Sequence, residues 1–258
     1  MNTQAMAIPI TEHEDVKKVF ALYTQNGMGQ EKADAESLIK HIAFMETQFE
    51  KVFDELQNVR AQLQTIEDKS VRATVTRIVD TVDTKVNDAK TQFIGIKDGV
   101  VTSFSNAVDA AKEKGVSALK STVDFLKIHS ALSFLKGKLG KAVDSLHQCA
   151  VQIEKVKIEL HTAKSHAGNA GRLILGKDAK TTQTYNYERG ILAGVQKLLH
   201  KTAVLLTNID RVADSAMRKI ESIGQRSGKT SALKSIREIK NTRTDSKRSA
   251  PERTAQDR

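Results

Sequence analysis

Gly224-Gln-Arg-Ser-Gly-Lys-Thr230 is the stretch whose residue types come nearest to a phosphate-handling motif. A phosphate-binding loop places four residues between two glycines so that successive backbone amides curl round the phosphate, with a lysine and a hydroxyl following. Here three residues separate the glycines, and Ile223 stands where the first glycine belongs. No strand-like run precedes the stretch to aim such a loop. It reads as a helix end running into a basic linker.

The other chemistry-bearing residues are scattered. Seven histidines occur, His13, His41, His129, His147, His161, His166 and His200, and none forms an i,i+4 pair with an acid between. The spacing therefore matches no helical zinc site. Cys149 is the lone cysteine, which excludes an internal disulfide framework and a Cys-rich zinc site. It falls on an apolar stripe, where a thiol serves as a small core group and not as a nucleophile. Carboxylates are spread over polar faces near lysines. The expectation is a chain with no catalytic residue, no cofactor site and no metal ligands, hence not an enzyme.

The elements that would carry these residues are helical. Pro9 and Pro251 are the only prolines, so 241 residues pass without the strongest helix breaker. Tryptophan is absent and aromatics make up 4%. No apolar run reaches the roughly 20 residues that a bilayer span needs, and the polar N-terminus lacks a signal-peptide layout. A cytoplasmic location is expected.

The clearest periodicity lies in Leu38, Ile42, Met45, Phe49, Val52, Leu56, Val59, Leu63 and Ile66, spaced alternately by four and three. At 39% apolar content, nine apolar residues in one fixed register arise by chance about twice in ten thousand. With Ile42, Phe49, Leu56 and Leu63 at a, the d positions hold Leu38, Met45, Val52, Val59 and Ile66. Leucine at a and β-branched residues at d disfavour a parallel two-stranded coil. Ile39 and Phe53 at e widen the face. These features predict an association seam within a bundle of three or more helices.

Upstream, Thr11 and Glu14 have the spacing of a capping box for a short helix carrying Val16, Val19, Phe20 and Tyr23, ended by Gly27 and Gly29. Downstream, the period becomes eleven. Val82, Phe93 and Phe104 form one row, interrupted at Gly115 before Leu126. Val75, Val86, Val108 and Leu119 form another, with Lys97 as its exception, and Ile78, Ala89, Val100 and Ala111 form a third. Gly95 and Gly99 leave both a turn and a continuous helix open. A 3/4 stripe then runs Leu132, Leu135, Leu139, Ala142, Leu146, Cys149, Ile153, Val156, Leu160, Ala163, ending at Gly168–Gly171. A polar loop near 168–187 follows. The last stripe is Val195, Leu198, Thr202, Leu205, Ile209, Val212, Ala216, Ile220, Ile223.

The predicted fold is therefore all-α: an elongated helical bundle or coiled coil with a disordered basic C-terminal tail. Its parts are a short helix and turn (1–29), heptad then eleven-residue-repeat helices (30–128), two further heptad-like helices (129–223) and the tail (224–258). Residues 1–69 carry a net charge of −5 and residues 224–258 one of +6, within a total of +10. Acidic and basic ends of one chain can attract each other in the folded state.

Gln25-Asn-Gly-Met28, Met45-Glu-Thr-Gln48 and Glu55-Leu-Gln-Asn-Val-Arg-Ala-Gln-Leu63 resemble segments of uncharacterised coiled-coil proteins encoded on integrative and conjugative elements of Gram-positive bacteria. The tail Thr244 to Arg258 is similar in style to the tails of such accessory proteins. The resemblance covers the N-terminal third best and the remainder in pattern. It implies a genomic context and no activity.

These readings together favour a non-enzymatic scaffold or accessory protein of a bacterial mobile element, acting by protein–protein association, including with itself as an oligomer. Two surface-binding readings stand beside it. The eleven-residue rows resemble amphipathic helices that coat lipid or storage granules. The tail's Arg226, Lys229, Lys234, Arg237, Lys240, Arg243, Lys247 and Arg248 could neutralise nucleic-acid phosphates or meet an acidic partner. No aromatic residue follows Tyr187, so the tail cannot stack bases.

Overall fold

The computed structural model describes residues 8–115, 119, 125–181 and 189–248, and of 125–126 and 227–248 it describes the backbone only. A 3-10 turn, Ile10–Glu12, leads into α1 (Glu14–Gln25). Four long helices follow: α2 (Gly29–Gln64), α3 (Lys69–Lys114), α4 (Phe125–Ile174) and α5 (Ile191–Arg248). No strand occurs among the described residues. At 1.5 Å per residue, α4 is about 75 Å long.

Cross-helix ion pairs show the directions. Glu46 meets Lys97 and Arg60 meets Asp83 between α2 and α3. Asp88 meets Lys138 between α3 and α4. His129 meets Glu221 between α4 and α5, and Asp34 meets Lys219 while Glu55 meets Lys201 between α5 and α2. The numbers run oppositely between α2 and α3, between α5 and α2, and between α4 and α5, where Lys136 also meets Asp214; α3 and α4 must then be antiparallel too, and the four form an up-down-up-down bundle closed by α5 against α2. The backbones of α2 and α3 are the most widely spaced of the four interfaces. There α1 wedges in, with Val16, Val19 and Tyr23 buried and Phe20 edge-on to Phe104 at 6.3 Å between ring centroids.

Local chemistry explains most helix boundaries. The capping box at Thr11 does not form, because residues 10–12 take a 3-10 turn. His13 caps α1 instead, its Nδ1 accepting from the Asp15 amide. Gly27 adopts φ 66°, a left-handed turn conformation that lets the chain reverse between α1 and α2. Asp68 caps α3 by accepting from the Ser70 and Val71 amides. α3 continues through Gly95 and Gly99 without a turn. It stops at Lys114, short of the expected boundary of the repeat helices at residue 128, because Gly115 takes φ 80°.

All nine residues of the Leu38–Ile66 seam are buried inside this one chain, seven of them at 1% exposure or less. Phe49 lies 5.0 Å from Phe93 across the α2–α3 interface. Of the neighbouring e positions Ile39 is buried, and Phe53 is half-buried beneath the Lys90 ammonium, 4.2 Å from its ring centre. The eleven-residue rows of α3 also face inward: Val82, Phe93 and Phe104 are fully buried, as are Val75 and Val86. That face is spent on packing.

Two later stripes differ from expectation. In α5 the buried set is Ala193, Val195, Leu199, Thr202, Ala203, Leu206, Ile209, Ala213, Ala216 and Ile220, with Leu198, Leu205 and Val212 half-buried at its edge. A bundle helix touches two neighbours, so its apolar face is wider than a two-helix seam and its centre shifts by one residue at alternate positions. In α4 the apolar burial ends at Ile153 and half-buried Val156, whereas Leu160 and Ala163 are exposed. The cause is geometric. Lys157 lies opposite Gln196, so α5 begins, at Ile191, facing α4 about five residues further on. Beyond that point roughly twelve residues of α4, about 18 Å, extend past the end of α5. α4 crosses Gly137, Gly140, Gly168 and Gly171 unbroken before ending at Ile174.

The segment expected as a tail begins within α5, whose backbone is helical to Arg248. Residues 249–258 lie outside the described residues, as do 182–187 of the predicted polar loop, whose first seven residues, 168–174, instead form the end of α4.

Candidate functional site

The charged and polar groups that enter the bundle hold helices together in separate places. Lys97, the exception in its apolar row, is 6% exposed, and its Nζ donates to Glu46 Oε1 at 2.5 Å and to the Ile8 carbonyl at 2.7 Å. Glu46 Oε2 accepts from the Ile10 amide at 3.2 Å. One buried ion pair thus ties α2 to α3 and fastens the chain entering α1. Ile8, at φ 61°, sits in a left-handed conformation costly for a β-branched residue. The Lys97 bond to its carbonyl helps hold it there.

A second cluster lies where the acidic N-terminal third meets the far end of α5. Asp34 is 6% exposed and accepts from both Arg226 Nη2, at 2.9 and 3.0 Å, and Gln30 Nε2, and it pairs with Lys219 at 2.9 Å. Burial opposes its ionisation, but Lys219 and Arg226 outweigh burial and hold the carboxyl below the ordinary value. The attraction between acidic and basic ends is therefore realised within the chain. Arg226, the first cation of the tail, is a structural partner of Asp34. The side chains of Lys229, Lys234, Arg237, Lys240, Arg243, Lys247 and Arg248 lie outside the described residues.

A third network joins α4 to α5. Lys157 is buried and donates to Glu154 Oε2 at 2.8 Å and to Gln196 Oε1 at 2.7 Å, while Gln196 Nε2 reaches the Ala150 carbonyl. Hydrogen bonds from Lys157 and then Gln196 hold Glu154 below its usual range. Nearer the middle, Lys136 pairs with Asp214 and Asp210. Burial raises the Asp83 carboxyl despite its Arg60 partner.

These groups do not converge. Among the described residues no three of histidine, cysteine, aspartate and glutamate gather in a metal-holding arrangement. Cys149 is buried, and its thiol is pushed up to about 12 by burial and then by the charge of Asp83. A thiolate is scarce there at neutral pH. His129, Ser133, Phe134, Lys138 and Lys141 line a shallow concavity along α4 alone. Among the described residues three buried side-chain atoms lack a partner, His41 Nδ1, Glu55 Oε2 and Gln62 Oε1, all on α2.

Of the Gly-xxx-Gly pairs 95/99 and 190/194, whose surroundings are described, the second makes a close contact. Gly190 has φ 97° in the turn before α5, and a Cβ on Gly194 would lie 2.6 Å from Gln62 Oε1. Sequence reasoning missed the core role of Lys97. The signal was its position in an apolar row; the position of Glu46 beside Met45 and Phe49 was a second.

No helix among the described residues is long and apolar enough to cross a membrane. A family model described as "Family of unknown function (DUF6674)" matches residues 12–258. No curated protein and no solved structure matches the chain.

Proposed function

The chain belongs to DUF6674, a family of unknown function, and we propose that it serves as a non-enzymatic helical scaffold or accessory protein, working by protein–protein association in the cytoplasm. One observation carries the reading: the buried charges clamp one helix to another at separate places along a rod. Glu46–Lys97, Asp34 with Lys219 and Arg226, and Lys157 with Gln196 each bridge different helices. Chemistry on a substrate needs polar groups brought to one place; this distribution instead makes a stiff spacer about 75 Å long with unlike ends.

The resemblance of the N-terminal third supports placing this scaffold on a bacterial mobile element. Nucleic-acid binding through the tail is less favoured, since Arg226 is already engaged by Asp34. Coating of lipid or granules by the eleven-residue rows would require Val82, Phe93 and Phe104 to leave the core.

Genome neighbourhood tests the context: a relaxase and coupling factors beside the gene support it, and polymer-synthesis genes contradict it. Light scattering of the full chain from about 1 to 100 µM, alone and with the purified products of adjacent genes, tests association. A chain that stays monomeric and binds none of them sinks the scaffold reading.

A further inference from the structure

The projecting end of α4 is built differently from the rest of the surface. Exposed apolar side chains are scattered over any soluble surface, but Leu173, Ile174 and Leu175 are consecutive and 61%, 85% and 72% exposed. Their position is fixed. Gly176, at φ 67°, closes the helix by donating to the Leu173 carbonyl, and Lys177 N donates to the Arg172 carbonyl at 2.9 Å. The returning chain is strapped to α4, because Asn169 both accepts from the Lys180 amide and donates to the Lys180 carbonyl, each at 2.9 Å. Arg172 Nε donates to the Asp178 carbonyl.

Two features select the occupant. Consecutive helical residues point about 100° apart, so this trio wraps the helix end as a cap instead of lining one side. A partner helix grips a stripe, whereas a cap suits end-on entry into a fluid apolar layer. Behind it stand Arg172, Lys177 and Lys180, within about 8 Å of Ile174 along the axis, opposed among the described residues by Asp178 alone. That is the depth of a phospholipid headgroup layer, where each cation attracts anionic lipid.

The geometry points to the α4 tip as a peripheral docking site for an anionic phospholipid bilayer, with Leu173, Ile174 and Leu175 inserted and Arg172, Lys177 and Lys180 at the headgroups. This site is independent of the scaffold reading. A rod held by one end would present its opposite end, with the Asp34–Arg226 clasp, away from the membrane.

Flotation of the full chain with vesicles of phosphatidylcholine alone, or containing about 30% phosphatidylserine, tests it. The proposal expects binding to the anionic vesicles only, weakened about tenfold or more in the Leu173→Ser/Ile174→Ser/Leu175→Ser variant and also weakened in Lys177→Glu/Lys180→Glu. Because these side chains are exposed, helicity should not change in either variant. A fluorophore on Ile174→Cys, selective because Cys149 is buried, should shift to the blue on anionic vesicles. Equal flotation of the triple-serine variant would assign binding to the basic C-terminal segment and overturn the proposal. So would an unshifted fluorophore, or a fall in the chain's sedimenting mass on triple substitution without lipid, which would make the tip a contact between copies.

Discussion

Replacing Lys97 by methionine should be among the most damaging single changes to this fold. Methionine keeps much of the hydrocarbon stem, so little volume is lost; what disappears is the ammonium. Glu46, 5% exposed, would keep the Ile10 amide on Oε2 but lose the Lys97 ammonium, and the Ile8 carbonyl would lose a donor. An uncompensated charge left in such a site costs about 3–5 kcal/mol. With a urea m-value of about 2–3 kcal/mol/M, the midpoint of unfolding followed by circular dichroism should fall by about 1–2 M. Glu46→Gln retains the acceptor for Ile10 and removes the stranded charge, so the double variant should be more stable than Lys97→Met alone. A loss below about 1 kcal/mol for Lys97→Met, with no recovery in the double variant, would refute the buried pair.

Further outcomes follow from the other contacts. Asp34→Asn should cost about 1–2 kcal/mol at pH 7, discounted because Lys219 and Arg226 are partly exposed. The folded-state value of Asp34 is depressed, so its contribution is present above the unfolded value of about 3.9 and vanishes as pH falls through the folded value. Wild type and variant should therefore converge in acid, and a gap that persisted there would contradict the assignment. Cys149 should resist a thiol reagent at pH 8 in the native chain and react in urea, as its pKa of about 12 and its burial require. Gly194→Ala should stay within about 1 kcal/mol of wild type, because Gln62 can swing aside and alanine favours the helix. Gly194→Leu should lose about 2–3 kcal/mol by forcing α2 from α5, and denaturant titrations separate the two.

The Leu38–Ile66 seam was legible because strict 3/4 spacing leaves no other way to bury nine apolar side chains. Leucine at a and valine or isoleucine at d also pointed to more than two helices, as the bundle bears out. Lys97 was opaque for the opposite reason: a lysine on an apolar row looks like a defect until its carboxylate is seen on a helix 51 residues away. Leu160 and Ala163 continue a flawless stripe yet face solvent, since periodicity records what a helix could bury and not where its neighbours stop. The cap at His13 was hidden by a locally good capping box, displaced by the 3-10 turn that buries Ile10. In α5 the apolar residues thin out after Ile223, where the sequence predicts the tail, while the helical backbone runs on to Arg248.

The central claim is that the α2 seam closes inside one molecule. Hydrogen exchange of amides 38–63, measured where sedimentation equilibrium gives a mass of 28.4 kDa, tests it most directly. The bundle predicts strong protection in the monomer, unchanged as concentration falls. Protection that appears only together with a doubled or higher mass would show that the seam is completed by another copy, and would contradict the account.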